Sequence, residues 1–323
     1  MTVPAMTEPL YDDEERDRPR LAASGPVKVR VPAKINLHLG VGSVRGDGYH
    51  ELTTVYHAIA LFDELTARRG DTLALTMEGE GAGELALDDT NLAIRAARAL
   101  ATHTGMPAHA RLHLRKQIPL AAGLAGGSAD AAAALVACDA LWGTGLSREE
   151  LAGVATQLGS DVPFLVYGGT ALGTGRGETV SPVLARGNAW HWVVAIADSG
   201  LSTPDVYREL DRLRSRGSAP APAGQPAGLL AALRQRDPVV LAGVLANDLE
   251  PAAVSLRPAL AKTLAAGRDA GALAGMVSGS GPTCVFLAAD AGHAAELAES
   301  LEAAEVCETV RTAHGPVAGA RVI

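Results

Sequence analysis

PLAAGLAGGSADAAAA, residues 119–134, joins a predicted strand to a long alanine-rich helix through a loop that contains three glycines. Gly123, Gly126 and Gly127 allow the backbone to approach a ligand closely and to adopt positive φ angles. A helix that begins near Ser128 presents unpaired N–H groups and the positive end of its dipole. The loop therefore predicts an anion site suited to phosphate. A capped turn, with Ser128 as its N-cap, is the alternative.

The loop differs from the two common glycine-rich nucleotide motifs. No Gly-Lys-Ser/Thr follows the glycines, so it is not a Walker loop, and the spacing G-x-G-x-x-G is absent. If this loop cradles phosphates, the lysine that accompanies them must come from another part of the chain.

Working outward from the loop, hydrophobic periodicity predicts strands and helices mixed throughout the chain, without the regular repetition of a barrel or solenoid. The predicted strands are 27–31, 71–77, 109–116, 162–169, 170–173, 190–197, 284–288 and a final strand pair. The predicted helices are 91–102 with Thr90 as cap, 128–141, 147–158, 238–247, 257–270 and 291–303. This mixture indicates two α/β-type domains, 27–180 and 181–323, after a disordered leader at 1–26. The Pro/Gly/Ala-rich segment 215–228 is predicted to be a mobile loop.

Composition and charge narrow the functional classes. The net charge of −8 argues against nucleic-acid binding, although local backbone amides can still hold a small anion. No apolar run reaches the ~18 residues of a membrane span. Three widely spaced cysteines indicate neither a disulfide framework nor a zinc site, and the N-terminus lacks a secretory signal. We therefore expect a cytoplasmic protein with no nucleic-acid or membrane partner.

A second motif, VPAKINLHLGVGSVRGDGYHEL, covers residues 31–52. Lys34 and Asn36 follow a strand, where a lysine either serves a site or extends past an apolar edge into solvent. The turn 46–48 presents Tyr49 and His50. In a chain with only five tyrosines, this pair indicates either a ligand contact or a packed hairpin end.

Two further motifs are open to more than one interpretation. In GSDVPF, residues 159–164, Asp161 is either a partly buried functional acid or an ordinary turn aspartate. In SGSGPT, residues 278–283, the backbone forms either an anion-binding nest or a tight turn before a strand.

Taken in order, PAKINL, the P-x-x-x-G-L-x-G-G-S loop, GSDVPF and SGSGPT resemble the GHMP kinase superfamily, from about Val27 to Ile323. The resemblance implies an α/β, two-domain α+β fold. An N-terminal ribosomal-protein-S5-like domain would face a C-terminal ferredoxin-like domain across the active-site cleft. DGYHEL, and the glycine pair before Ser128, are similar to the branch that phosphorylates a cytidine-diphosphate sugar alcohol in the non-mevalonate isoprenoid pathway.

The same resemblance implies roles for individual residues. Asp161 would be the catalytic base, with Lys34 beside it to offset charge on the transferred phosphoryl group. The positions that match ATP-binding residues are Asn91, Lys116, Pro119, Gly123, Leu124, Ala125, Gly126, Gly127 and Ser128. Those that match acceptor-binding residues are Asn36, Tyr49, His50, Thr203 and Tyr207. Tyr49 and Tyr207 would stack on cytosine from opposite sides.

ATP is the implied phosphoryl donor, and a small cytidine-diphosphate sugar alcohol is the implied acceptor. Many superfamily members have serines where this chain has Gly126-Gly127, and one of those serines contacts Mg²⁺. We therefore expect ATP and water to hold Mg²⁺, and leave its protein ligands unassigned. Two alternatives are a GHMP kinase for homoserine, mevalonate or a sugar, and a catalytically silent nucleotide-binding regulator.

Overall fold

A computed structural model describes residues 22–120, 122–183 and 189–323. Most of the predicted leader, residues 1–21, therefore lies outside the described residues. The backbone N–H of Ala23 donates to the carbonyl oxygen of Ala140 at 3.2 Å, so the last part of that segment is bound to the body of the protein.

Strands and helices are mixed along the chain, without regular alternation. The strands are β1 Val27–Val44, β2 His50–Arg68, β3 Ala74–Gly79, β4 Arg111–Lys116, β5 Thr170–Gly175, β6 Thr179–Pro182, β7 Trp190–Ile196, β8 Ala246–Asn247, β9 Ala274–Val277, β10 Cys284–Ala288, β11 Thr309–Gly315 and β12 Arg321–Val322. The helices are α1 Leu92–Thr104, α2 Gly126–Trp142, α3 Arg148–Ala155, α4 Val162–Tyr167, α5 Thr203–Ser215, α6 Ala227–Ala232, α7 Pro238–Ala242, α8 Glu250–Leu256, α9 Ala259–Asp269 and α10 Ala291–Ala303.

The first sheet contains eight strands and is built on the long antiparallel pair β1–β2. The order β12-β1-β2-β4-β3 forms its main path, and β5 extends the other half of β2 and carries β6. β8 pairs in parallel with β1 at His38 and Leu39. The sheet thus includes all strands before residue 183, together with two short strands from the C-terminal half. The division at residue 180 stays a prediction.

The second sheet contains four antiparallel strands in the order β11-β7-β10-β9. Its apolar strand β10 is fully buried, and Phe286 on it packs so closely on Gly267 of α9 that a side-chain carbon there would lie 2.0 Å from the ring. Helices from the same half, including α5, α8, α9 and α10, contribute to this second core.

Helix α2 occupies the centre of the first core. Twelve of its seventeen residues are buried, and the run of alanines leaves no polar face. A helix that is apolar on all sides belongs in a protein interior. The small side chains let the strands of the first sheet approach α2, which fixes the position of its N-terminus relative to β1.

The structure corrects several predicted elements. Residues 162–167 form helix α4 and not a strand, because Pro163 starts a short helix that is buried on every side. Helix α1 is capped by Asn91 and not by Thr90, since the Asn91 side chain accepts from the N–H of Ala93. The predicted helix 238–247 ends at Ala242, and the last two strands pair with different sheets rather than with each other.

The segment between α5 and α6 was predicted as part of a mobile loop. Near its end, the Ala223 N–H donates to Asp248 Oδ1 at 2.8 Å. The ring Nε2 of His38 donates to the Gly224 carbonyl oxygen at 3.1 Å. These contacts attach the end of the segment to β1. In the part of the chain that the structure describes, no helix is both long and apolar enough to cross a membrane.

Candidate active site

Lys34 of β1 lies where the predicted motifs meet. Its ammonium donates to the carbonyl oxygen of Gly123 at 3.0 Å and to Oδ1 of Asn36 at 2.9 Å. Oδ2 of Asp161 lies 3.7 Å from the same nitrogen. The Lys34 side chain is only 6% exposed, whereas that of Asp161 is 29% exposed. The structure thus places a buried cation behind a carboxylate that remains open to the cleft.

A chain of buried hydrogen bonds fixes Asn36, which in turn orients Lys34. Asn36 Nδ2 donates to the Thr54 hydroxyl at 2.8 Å, and that hydroxyl donates to the carbonyl oxygen of His38 at 2.8 Å. Both strands of the β1–β2 pair therefore hold the side-chain amide in one orientation, so that its oxygen faces Lys34.

The glycine-rich loop packs directly on the second sheet's SGSG segment. Gly123 has φ +73°, and a side-chain carbon there would lie 2.7 Å from the Ser278 carbonyl oxygen and 2.9 Å from that of Gly281. Only glycine combines this backbone conformation with such a close approach. The Lys34 N–H also donates to the Leu124 carbonyl oxygen at 3.2 Å, which attaches the loop to β1.

Helix α2 begins two residues earlier than predicted, at Gly126. Ala125 precedes it in the left-handed conformation, with φ +60°, and its carbonyl oxygen accepts the first helical hydrogen bond, from Ala129. The N–H groups of Gly126, Gly127 and Ser128 precede that bond and lie at the positive end of the helix dipole. This arrangement fits a phosphate group better than a simple serine-capped turn, because Ser128 is not the N-cap.

Asp161 lies in the connection between α3 and α4, directly before α4. It is the N-cap residue of α4, but its side chain makes no capping hydrogen bond. A side-chain carbon at Gly159 would lie 4.0 Å from the Ser128 hydroxyl, so the motif GSDVPF adjoins the start of α2. The carboxylate of Asp161 is therefore adjacent to the predicted phosphate loop rather than engaged as a turn residue.

Tyr56 of β2 closes the buried side of this carboxylate. Its ring stacks on Phe164 of α4 with centroids 4.9 Å apart, and its hydroxyl donates to the Gly177 carbonyl oxygen at 3.3 Å. Burial raises the pKa of Tyr56 well above its usual value, and the nearby charge of Asp161 raises it further. Tyr56 is therefore a neutral hydroxyl beside the acid, and the sequence motifs did not single it out.

The SGSG segment closes the cleft from the second sheet. A side-chain carbon at Gly279 would lie 3.2 Å from Asn36 Oδ1 and 3.4 Å from Lys34 Nζ. Asn247 holds the segment by donating to the carbonyl oxygens of Val277 and Gly279, at 2.8 and 2.7 Å. The fourth motif thus lines the same site as the first three.

Thr203 and Tyr207 enter from helix α5. The Thr203 hydroxyl lies 2.8 Å from that of Ser280, which joins the start of α5 to the SGSG segment. The Tyr207 ring packs on the His50 ring, with centroids 5.0 Å apart and a tilt of 31°. Burial raises the pKa of Tyr207, with a further contribution from the charge of Asp161.

Tyr49 lies at the tip of the β1–β2 hairpin and is 57% exposed. The guanidinium carbon of Arg176 lies 4.9 Å from the centre of its ring. His50 Nε2 lies 2.9 Å from Asp211 Oδ1, so the His50 edge already has a polar partner. We call Tyr49, His50 and Tyr207 the aromatic platform. Its rings surround one end of the cleft, as expected for a base-binding site, but Tyr207 now contacts His50 directly.

Lys116 is buried, whereas a side chain that contacts a nucleotide would be open to the cleft. Its side chain is 0% exposed, and its ammonium lies 2.6 Å from Asp63 Oδ2 and 2.7 Å from Asp130 Oδ2. The N–H groups of Gln117 and Ile118 donate to Asp63 Oδ1 at 2.6 and 2.8 Å. We call Asp63, Lys116 and Asp130 the buried ion cluster. It joins β2, the end of β4 and the N-terminal part of α2 beneath the glycine loop.

Burial and neighbouring charges shift the pKa values of Lys116 and Asp130 within this cluster. Burial alone would lower the pKa of Lys116, but the charges of Asp130 and Asp63 raise it above its usual value. Burial raises the pKa of Asp130 to about 8. Asp130 Oδ1 is also buried without a hydrogen-bond partner. Asp130 is therefore the member of the cluster that takes up a proton most readily.

Asn91 caps the N-terminus of α1. Its Oδ1 accepts from the Ala93 N–H at 2.9 Å, and its Nδ2 donates to the Ala86 carbonyl oxygen at 2.8 Å. A side-chain carbon at Gly127 would lie 3.4 Å from Leu92, so this cap is adjacent to the glycine loop. The predicted nucleotide contacts of Asn91 and Lys116 stay predictions. The remaining loop residues, Pro119, Leu124 and Ala125, lie along the path from β4 to α2.

Metal ligands are sparse around the cleft. Across residues 22–120, 122–183 and 189–323, no three His, Cys, Asp or Glu side chains gather as a metal site. Asp161 is the partly exposed carboxylate beside Lys34, whereas Asp63 and Asp130 are buried around Lys116. A hard cation such as Mg²⁺ usually keeps several waters and binds through one or two carboxylates and substrate phosphates. The donor set therefore fits a metal that arrives with a nucleotide.

Comparison with known proteins agrees with this arrangement. The family described as GHMP kinases N terminal domain matches residues 91–169, and that described as GHMP kinases C terminal matches residues 229–306. A relative from Salinispora arenicola, named 4-diphosphocytidyl-2-C-methyl-D-erythritol kinase, is 76% identical over 98% of this chain and 100% of its own length.

Solved structures give the same picture at the level of the fold. A crystal structure of 4-(cytidine 5'-diphospho)-2C-methyl-D-erythritol kinase is 32% identical and covers 89% of this chain and 98% of its own, with a TM-score of 0.71. A homoserine kinase from Cytophaga hutchinsonii is 20% identical, covers 94% of this chain and 99% of its own, and has a TM-score of 0.73. The latter likeness extends to the fold alone. The expected two-domain, mixed α/β fold is confirmed.

Proposed function

Because this chain belongs to the 4-diphosphocytidyl-2-C-methyl-D-erythritol kinase family of the GHMP kinases, we propose the reaction of that family for it. The enzyme uses ATP to phosphorylate a hydroxyl of 4-diphosphocytidyl-2-C-methyl-D-erythritol. The product is the 2-phosphate, an intermediate of the non-mevalonate route to isoprenoid precursors. The observation that carries the mechanism is the position of Lys34, which touches the glycine loop and lies 3.7 Å from Asp161.

Phosphoryl transfer depends mainly on positioning and charge stabilisation. The acceptor oxygen forms a bond to the γ-phosphorus of ATP while the bond to the bridging oxygen breaks, which leaves ADP. Asp161 accepts the hydroxyl proton in this scheme, because its carboxylate has no capping partner and is open to the cleft. The Lys34 ammonium offsets the negative charge of the phosphoryl group. The N–H groups of Gly126, Gly127 and Ser128 bind the phosphates.

Mg²⁺, when bound with ATP, would neutralise part of the phosphate charge. We assign its coordination mainly to the nucleotide and water, with no protein ligand fixed. The three cysteines are free thiols, which suits a reducing compartment, and we accordingly place the reaction in the cytoplasm.

The aromatic platform favours a cytidyl acceptor over the acceptors of other GHMP kinases. Tyr49, His50 and Tyr207 provide ring surfaces, and stacking on a base requires such surfaces. In this proposal Tyr207 separates from His50 to admit the cytosine. Homoserine and mevalonate have no base that would use them. Both Lys34 and Asp161 are present and juxtaposed, which speaks against a silent regulator.

The test is acceptor selectivity. Purified protein is incubated with ATP, Mg²⁺ and one acceptor, and ADP release is followed by a coupled assay. We expect turnover with the cytidyl substrate, none with homoserine or mevalonate, and very little with methylerythritol phosphate, which lacks the base. The phosphorylated position is then read by ³¹P and ¹³C NMR. Efficient use of methylerythritol phosphate would contradict the role of the aromatic platform and favour a less selective kinase.

A further inference from the structure

The acceptor of the proposed reaction carries a diphosphate between its base and its sugar alcohol, and this inference rests on that proposed function. The aromatic platform would hold the base, and Asp161 would meet the reactive hydroxyl. Helix α5, which carries Tyr207, contacts the SGSG segment through Thr203, and that segment adjoins Lys34, which lies 3.7 Å from Asp161. The two ends of the acceptor site are therefore joined through one set of contacts. The diphosphate must pass between them, and it needs cationic or N–H partners there.

The turn between β5 and β6 lies at this intermediate position. A side-chain carbon at Gly177 would lie 3.8 Å from Cβ of Ser160, the residue before Asp161. The Gly177 carbonyl oxygen also accepts from the Tyr56 hydroxyl. The turn is thus fixed beside the reaction centre, and Gly175 and Gly177 both have positive φ angles that shape it.

Arg176 extends from this turn to the aromatic platform. Its guanidinium carbon lies 4.9 Å from the centre of the Tyr49 ring, and its side chain is 37% exposed. A cation over an aromatic face is held by the ring's quadrupole and keeps its edge N–H groups available. The guanidinium therefore lies on a base-binding ring, is partly exposed to solvent, and extends from a turn that adjoins the residue before Asp161.

Arg176 has Glu178 as a loosely placed ionic partner. Its Nε lies 3.7 Å from Glu178 Oε1, and the other oxygen of Glu178 accepts from the Arg176 backbone N–H at 2.6 Å. By contrast, Arg45 has a carboxylate at 3.1 Å and Arg212 has one at 2.6 Å. Among these arginines around the platform, Arg176 has the weakest carboxylate contact.

We infer that Arg176 binds the diphosphate of the acceptor and so distinguishes a cytidine diphosphate conjugate from a bare cytidine. The planar guanidinium offers parallel N–H groups that match two phosphate oxygens. Its stacking on Tyr49 would align the phosphate contact with the base contact. The alternative is that Arg176 only supports the Tyr49 ring.

The test compares Arg176→Met with wild type by calorimetric titration of CDP and of cytidine, and by steady-state kinetics. A hydrogen-bonded charge contact is worth about 10- to 100-fold in affinity. We expect Arg176→Met to weaken CDP binding and raise the acceptor KM about tenfold or more. Cytidine affinity and the KM for ATP should stay within about twofold. The CDP affinity and acceptor KM of Arg176→Lys should lie between those of wild type and Arg176→Met, because lysine keeps the charge without the paired N–H geometry.

Arg311→Met is the matched control, since Arg311 is exposed on β11 of the second sheet, and it should leave all these values unchanged. Equal losses for CDP and cytidine would overturn the inference in favour of a supporting role for Arg176. Unchanged CDP binding, or wild-type protein that binds CDP no better than cytidine, would also overturn it. Failure of the wild type to phosphorylate the acceptor while the CDP preference depends on Arg176 would instead refute the proposed function alone.

Discussion

Replacing Lys116 by methionine is expected to destabilise the protein strongly, because Lys116 is the cation of the buried ion cluster. Its ammonium lies within 2.7 Å of two carboxylate oxygens, and the three side chains are between 0% and 4% exposed. Methionine retains most of the side-chain volume but supplies no charge. Asp63 would keep its two backbone N–H partners, whereas Asp130 would lose the cation it contacts.

The expected magnitude follows from this geometry. Removing one partner of a buried ion pair costs about 3–5 kcal/mol. At about 2.1 cal/mol/K per residue, the unfolding entropy of this 323-residue chain is about 0.68 kcal/mol/K, so each kcal/mol lowers the melting temperature by about 1.5 °C. Lys116→Met should therefore melt about 4–7 °C below wild type. Calorimetry gives the melting temperature, and the KM for ATP is measured well below the transition. Because the cluster supports the N-terminal part of α2 from beneath, the KM should rise only moderately.

Lys262→Met is the control, since Lys262 is exposed on α9, and it should melt within about 1 °C of wild type. The double variant Lys116→Met/Asp130→Leu should recover part of the loss, because it removes the unpaired carboxyl group. The reasoning is refuted if Lys116→Met melts within about 2 °C of wild type while its KM for ATP rises more than tenfold. That result would make Lys116 a direct nucleotide contact, as the family resemblance implies.

Three other changes test separate parts of the site. Asp161→Asn should lower kcat by ~10²–10⁴ while calorimetric ATP affinity stays close to wild type, and retention of more than about a tenth of kcat would exclude Asp161 as the general base. Tyr207→Ala should raise the acceptor KM about 5- to 150-fold, whereas Tyr207→Phe should leave it nearly unchanged, because stacking uses the ring. A large rise in the acceptor KM of the phenylalanine variant would contradict stacking. Burial raises the pKa of Asp130 to about 8, so its protonated form contributes stability that is full below pH 3.8 and is lost as the pH rises through 8. Urea unfolding should therefore show the stability deficit of Asp130→Asn shrinking between pH 6 and pH 9, and a constant or widening deficit would argue against a protonated Asp130.

The family resemblance predicted that Lys34, Asp161 and the glycine loop lie together, whereas the residue patterns alone left Lys34 and Asp161 open between functional and structural roles. Glycines at 123, 126 and 127 in five residues allow few structures other than a close-approach loop. The order of the motifs then matched one family. The structure brings the four motifs together, and the functional role of each side chain stays a prediction.

The parts that sequence patterns missed depend on distant residues or on ambiguous short runs. Asp63 pairs with a lysine 53 positions away, and no periodicity links the two. Asn247, which holds the SGSG segment, lies outside every motif. The run Val162–Tyr167 is apolar throughout, and a short apolar run fits a buried strand as well as a buried helix. Pro163 was the available signal, since proline is well accommodated in the first turn of a helix.

The return of β8 and β12 to the first sheet has a mechanical consequence. The chain passes between the two sheets four times, after β6, before and after β8, and between β11 and β12. Two bodies joined by a single connection can rotate about it as a hinge, whereas four covalent connections restrict their relative motion. We expect the distance between Lys34 and the SGSG segment to stay nearly constant through turnover. Entry of the acceptor and release of product would then depend on movement of peripheral elements, chiefly α5 with Tyr207 and the segment that follows it.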